Sequence, residues 1–151
     1  MKPRLFLVLS LLVFGASACR VAGPGILNGT VCDADARDAD LEWWTQTPPL
    51  TAMDRVTAAL KLKVQRSEQM NGLREAVQNS EACRKAYFDG YTATHERVQK
   101  VNAELDAFRA KQPKGAPYDP ALAKKSFDAY CLAAWEMDAF TKTVEDCIAG
   151  R

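Results

Sequence analysis

Two long stretches of this chain place apolar residues at alternating steps of four and three, and a rigid Pro/Gly segment separates them. The first runs Tyr87, Tyr91, Thr94, Val98, Val101, Leu105, Phe108, and the second runs Ala123, Phe127, Tyr130, Ala134, Met137, Thr141, Val144, Ile148. Such a seam belongs to a helix that packs lengthwise on its neighbours. Between them, Gln112-Pro113-Lys114-Gly115-Ala116-Pro117 cannot continue a helix. Asp119 followed by Pro120 then supplies an N-cap and a pre-set first turn. The pattern predicts a long antiparallel helical hairpin. A further helix precedes it, opening at Thr51 with Asp54 in capping-box spacing. Met53, Val56, Leu60 and Val64 carry that helix, and Met70, Leu73 and Val77 resume it. Its end falls between the break signals Asn71-Gly72 and Asn79-Ser80. No segment alternates with period two, so essentially no sheet is expected. The predicted fold is all-α: an antiparallel three-helix bundle over residues 51–151, formed by the hairpin and an N-terminal helix.

The cysteines constrain this bundle further. There are five, Cys19, Cys32, Cys83, Cys131 and Cys147. Cys131 and Cys147 lie 16 residues apart on one helix, about 24 Å along its axis, too far for a bridge. In the hairpin, Cys83 lies 29 residues before the turn and Cys147 lies 29 after it, so the two are level. Cys83 with Cys131 would be offset by roughly 25 Å. The prediction is Cys83–Cys147 and Cys32–Cys131, with Cys19 left over. An odd cysteine in an exported chain calls for modification or an intermolecular bond.

The N-terminus indicates export. Lys2 and Arg4 precede an uncharged apolar run from Leu5 to Phe14, the right length for a signal segment and too short to span a bilayer. Ala16-Ser17-Ala18 offers small residues at a cleavage site, which suits general secretion. Ala16-Ser17-Ala18-Cys19 also resembles the lipobox of bacterial lipoproteins, with Ala16 where a larger aliphatic is usual. That resemblance covers these residues alone. It implies removal of residues 1–18, a diacylglyceryl group and an acyl chain on Cys19, and membrane attachment through that lipid. Arg20 follows the cysteine where lipoproteins retained at the inner membrane carry Asp, so the implied address is the outer membrane, facing the periplasm. The alternative is a simply secreted protein.

Residues 19–31 read as a lipidated Gly-containing tether and residues 32–50 as an acidic leader ending at Trp43-Trp44 and Pro48-Pro49. Loss of residues 1–18 moves the formal charge from +1 to −1, which leaves no footprint for nucleic acid. Asp33, Asp35, Asp38 and Asp40 lack the glycine and terminal carboxylate of a calcium loop, so they read as solvated, or as lying along Arg55, Lys63, Arg66 and Arg74. The lone His95 has no second histidine to share a metal, and no nucleophile motif accompanies it. Neither a metal nor a cofactor is expected, and the acids Glu96, Glu104 and Glu136 show no pairing that would mark an enzyme. Trp43 and Trp44 are the candidate partner-binding residues, because tryptophan is enriched at interface hot spots. The sequence therefore reads as a non-enzymatic, protein-binding envelope lipoprotein of inhibitor, immunity or secretion-accessory type. The alternative is a periplasmic carrier of a small apolar ligand or lipid, lined by Phe127, Tyr130, Met137 and Phe140.

Overall fold

The starts of the helices follow from side chains that answer otherwise unpaired amides. The computed structural model describes residues 30–32, 40–115 and 117–151. These form one 3-10 turn, Thr30–Cys32, and four helices: α1 Leu41–Gln46, α2 Pro49–Ala76, α3 Glu81–Arg109 and α4 Pro120–Ile148. No strand occurs among the described residues. Asp119 Oδ1 accepts the amides of Ala121 and Leu122 at 2.8 and 3.4 Å, with Pro120 in the first helical turn. The Ser80 hydroxyl accepts the Cys83 amide at 3.3 Å and so opens α3 rather than merely interrupting the chain. Asp40 caps α1 by accepting the Trp43 amide at 3.2 Å.

One boundary differs from the sequence reading, whereas the end of α2 at Ala76 falls in the interval expected for it. Helix α2 opens at Pro49 and not at Thr51, since proline at the first position needs no amide partner and arrives with a helical φ. It also runs unbroken through Asn71-Gly72 to Ala76. One interior glycine costs about 1 kcal/mol relative to alanine, too little to stop a 28-residue helix packed along its length. Helix α1 was not anticipated at all, because the acidic leader shows no periodicity long enough to signal six residues of helix.

Helix α4 lies at the centre of the arrangement, packed along α2 on one flank and α3 on the other, while α2 and α3 hardly meet. Arg66 pairs with Asp138 at 3.1 Å, and Arg55 lies against Phe127, so α2 and α4 run in the same sense. Arg97 pairs with Glu136 at 2.6 Å and Cys83 joins Cys147, so α3 runs opposite to α4. Serving two neighbours, α4 buries more than its seam: Ser126, Ala129, Ala133 and Phe140 are covered as well as Phe127, Tyr130, Met137 and Val144. On α2 the buried face consists of Ala52, Val56, Ala59 and Met70. The larger Met53, Leu60 and Val64 face outward, against the expectation that they would line the core. Small residues at the contact let two helix axes approach closely, and the Ala52-Val56-Ala59 spacing provides them.

The core divides into two clusters, each holding a disulfide. Cys32–Cys131 closes at a Cα separation of 5.3 Å beside Trp44, Val56, Phe127 and Leu105. Cys83–Cys147, at 5.7 Å, sits with Tyr87, Met137, Phe140 and Val144. This is the pairing that axial rise along the helices required. Cys19, the rest of the tether and Asp33, Asp35 and Asp38 lie outside the described residues.

Candidate functional site

The end of the molecule that holds Cys32 brings together half-buried cations and exposed apolar surface. Because Asp40 caps α1, the next turn brings Trp44 down onto α4, where its ring lies 5.4 Å from that of Phe127. Trp44 is fully buried, its carbonyl accepts the Tyr118 hydroxyl at 3.2 Å, and its indole Nε1 has no hydrogen-bond partner. It therefore offers no surface to a partner, and the hot-spot expectation for Trp44 is corrected: that ring is a core residue. Trp43 stays half-buried, edge-on to Trp44 with ring centres 5.0 Å apart.

Arg55 passes between these elements. Its guanidinium carbon lies 5.0 Å from the Trp43 ring centre and 5.1 Å from that of Phe127. Burial holds its pKa below the usual arginine value, and the two ring faces offset part of that desolvation. Three residues of the basic stripe have partners among the described residues, and the acids expected to meet the stripe at Asp33, Asp35 and Asp38 lie outside them. Arg55 serves the aromatic rings, Lys63 donates to Asn102 at 2.7 Å, and Arg66 binds Asp138.

Beyond Arg55, the start of α2, the α3–α4 link and the start of α4 enclose an open groove of about 450 Å³. Met53, Leu60, Pro113, Tyr118 and Leu122 form its apolar walls. Within the groove Arg109 donates to the Tyr130 hydroxyl at 2.6 Å, and the Lys63 ammonium, outside the groove lining, lies 5.3 Å from the centre of the same ring. Burial, followed by the like charge of Arg109, lowers the Lys63 pKa, and Asp106 opposes that shift.

The groove continues onto the outward face of α2. Leu50 is 83% exposed, Met53 45%, Leu60 39% and Val64 49%. With Thr57 between them, these residues repeat at steps of three, four, three and four, which is a second seam on the same helix. The sequence reading merged the two seams of α2 into one. The small-residue spacing Ala52-Val56-Ala59 was the signal that could have separated them.

The other candidates disperse. Phe127, Tyr130, Met137 and Phe140 are buried core residues, Phe140 lying 5.5 Å from Tyr87 between ring centres. Of these four, only Tyr130 borders the groove. His95 is exposed and stacks on Tyr91 at 6.0 Å. Glu136 is held by Arg97. Among the described residues no group of three or more His, Cys, Asp or Glu side chains could hold a metal, and no helix is long and apolar enough to cross a membrane. The depression at the opposite end is polar, lined by Arg66, Gln69, Asp138, Lys142 and Asp146 among others.

No protein-family model, curated protein or solved structure matches the chain.

Proposed function

We propose that this chain is an outer-membrane lipoprotein facing the periplasm, anchored through lipid on Cys19, whose helical domain binds another protein without catalysing a reaction. The observation that carries the binding half is the apolar seam Leu50, Met53, Leu60, Val64 beside an open groove. Contiguous apolar surface of this kind on a chain otherwise rich in charge marks an interaction site. In this reading the three long helices act as one antiparallel bundle, a rigid stapled support for that face, suited to inhibition, immunity or a secretion-accessory task. Trp43, half-buried above Arg55, stands as a further contact residue against a different face of α2. The anchoring half rests on the lipobox-like Ala16-Ser17-Ala18-Cys19 and on two disulfides that leave Cys19 without a partner among the described cysteines.

Two measurements test the halves separately. Affinity purification from detergent-solubilised envelopes should recover a protein in stoichiometric amount, and recovery of none contradicts the binding role. Intact mass of the native protein should give a chain that begins at a diacylated Cys19 and carries two disulfides. An unmodified thiol at that position contradicts the anchor.

A second reading has one observation in its favour. The groove volume falls within the range of small-molecule sites, roughly 300–1,000 Å³, and its floor is cationic at Arg109. A carrier of an anionic amphiphile would return a fatty acid or lipid on extraction of the purified protein. An empty extract excludes it.

A further inference from the structure

We propose that the outward face of α2 docks on α2 of a second copy of this chain, the two helices antiparallel about a two-fold axis. The inference rests on the reading of that face as a protein-docking surface and names its occupant. Three features carry it.

Spacing is the first. Leu50, Met53, Thr57, Leu60 and Val64 hold successive a and d positions over two heptads and the start of a third, fourteen steps along the chain, about 21 Å of helix axis. A seam with that repeat is complementary to another helix of the same repeat and not to a flat surface. Chain order is the second. Helix α2 is already folded against α4 through Ala52, Val56 and Ala59, so pairing its outer face orders few new residues. The inner and outer seams lie roughly 110° apart around one helix, so a helix docked on the outer seam leaves the inner contact in place.

Charge is the third. Asp54 and Lys61 both flank the outer seam at the same heptad position, seven residues apart, and both are exposed. In an antiparallel pair, residues at this position face each other across the seam. With Met53 packed level with Val64 of the second copy, and Thr57 level with Leu60, Asp54 of each chain stands beside Lys61 of the other. The two-fold axis forms this pair twice. A parallel arrangement would instead set Asp54 against Pro49 and Lys61 against Val56 of the other chain, and would leave both charges without an opposite.

A patch limited to two heptads belongs to the weak class of interfaces, with assembly at concentrations on the order of 100 µM or at the raised local density of a membrane. The test is sedimentation of the full exported chain in mild detergent across a concentration series, joined to charge reversal. The native chain should shift from one to two protomers. Asp54→Lys alone and Lys61→Asp alone should each lower the two-protomer fraction about tenfold. Mixing those two variants one to one should restore it, because each now supplies the charge that the other lacks, a result misfolding could not give. Leu60→Asp should abolish the two-protomer species. A one-protomer mass at every concentration overturns the inference, as does a two-protomer species that survives Leu60→Asp. If the chain stays single while envelopes yield a different stoichiometric protein lost in Leu60→Asp, the second copy is refuted and the docking face stands. If Leu60→Asp changes neither, both fall.

Discussion

The two ends of this molecule share α4 and are built on different plans. At one end, Cys83–Cys147 ties the start of α3 to the end of α4 beneath Tyr87, Met137, Phe140 and Val144, and a short turn joins α2 directly to α3. Surface depressions there are polar. At the other end, Cys32–Cys131 reaches across 99 residues to hold the leader, Trp44 fills the space between α1 and α4, and an apolar groove lies open beside an apolar seam. One end closes the fold, and the other leaves surface available. The two disulfides stand about 24 Å apart along α4, given 16 residues at 1.5 Å each.

Substitutions can break or sharpen this contrast, and the largest effect should come from Trp44→Ala. Emptying a fully buried indole site should cost about 3–5 kcal/mol in chemical denaturation, whereas Trp43→Ala, which mainly removes a ring face from Arg55, should cost about 1 kcal/mol. Equal losses would mean that the leader is held in some other way. Removing either disulfide as a Cys→Ser pair should cost about 2–4 kcal/mol. The difference in separation, 99 against 64 residues, is worth only about 0.4 kcal/mol in the chain-entropy account. The two losses should therefore be similar globally and unlike locally. Hydrogen exchange should accelerate in α1 only for the Cys32–Cys131 variant, and uniform acceleration would deny the division between ends.

Glycines give a smaller and oppositely signed pair. A Cβ at Gly90 would come within 2.9 Å of the Phe140 ring, so Gly90→Ala should destabilise by about 1–3 kcal/mol. A Cβ at Gly72 meets nothing within 4 Å, and Gly72→Ala should stabilise α2 by up to about 1 kcal/mol. Thermal melts of the two variants shifting in the same direction would contradict the close packing of α3 on α4. Smallest is Thr141→Val. The buried Thr141 Oγ1 has no hydrogen-bond partner among the described residues, so replacing it with a methyl group should leave stability nearly unchanged or slightly raised. A loss above about 1 kcal/mol would reveal a hydrogen bond to that hydroxyl.

What could be read from sequence follows the same division. The seams of α3 and α4 lie against neighbours along most of their length, so period and burial largely coincide: Thr94, Leu105, Phe127 and Val144 are covered, and only the terminal Ile148 is exposed. The start of α4 was legible because Asp119 and Pro120 act locally, and the cysteine pairing because rise per residue is a property of the backbone alone. The leader end resisted. Helix α1 depends on one capping carboxylate and on the burial of Trp44 against residues more than eighty positions away, which no local pattern encodes. On α2, periodicity marks apolar stripes but cannot choose which one faces inward. Alanines won over Met53, Leu60 and Val64 because α4 already presents bulky Phe127 and Tyr130 to that contact. The hot-spot expectation failed for Trp44 for the same reason, since a large ring was needed inside.

The central claim is that interaction belongs to the leader end and not to the disulfide-clamped hairpin end. Leu60 and Phe88 are both exposed apolar residues, 39% and 49%, one on each side of that division. The direct measurement is chemical crosslinking in intact envelopes of the native chain, Leu60→Asp and Phe88→Asp, read as the fraction of the protein in a larger species. The account predicts that Leu60→Asp removes the crosslinked species and that Phe88→Asp leaves it at the native level. Loss on Phe88→Asp with retention on Leu60→Asp would contradict it.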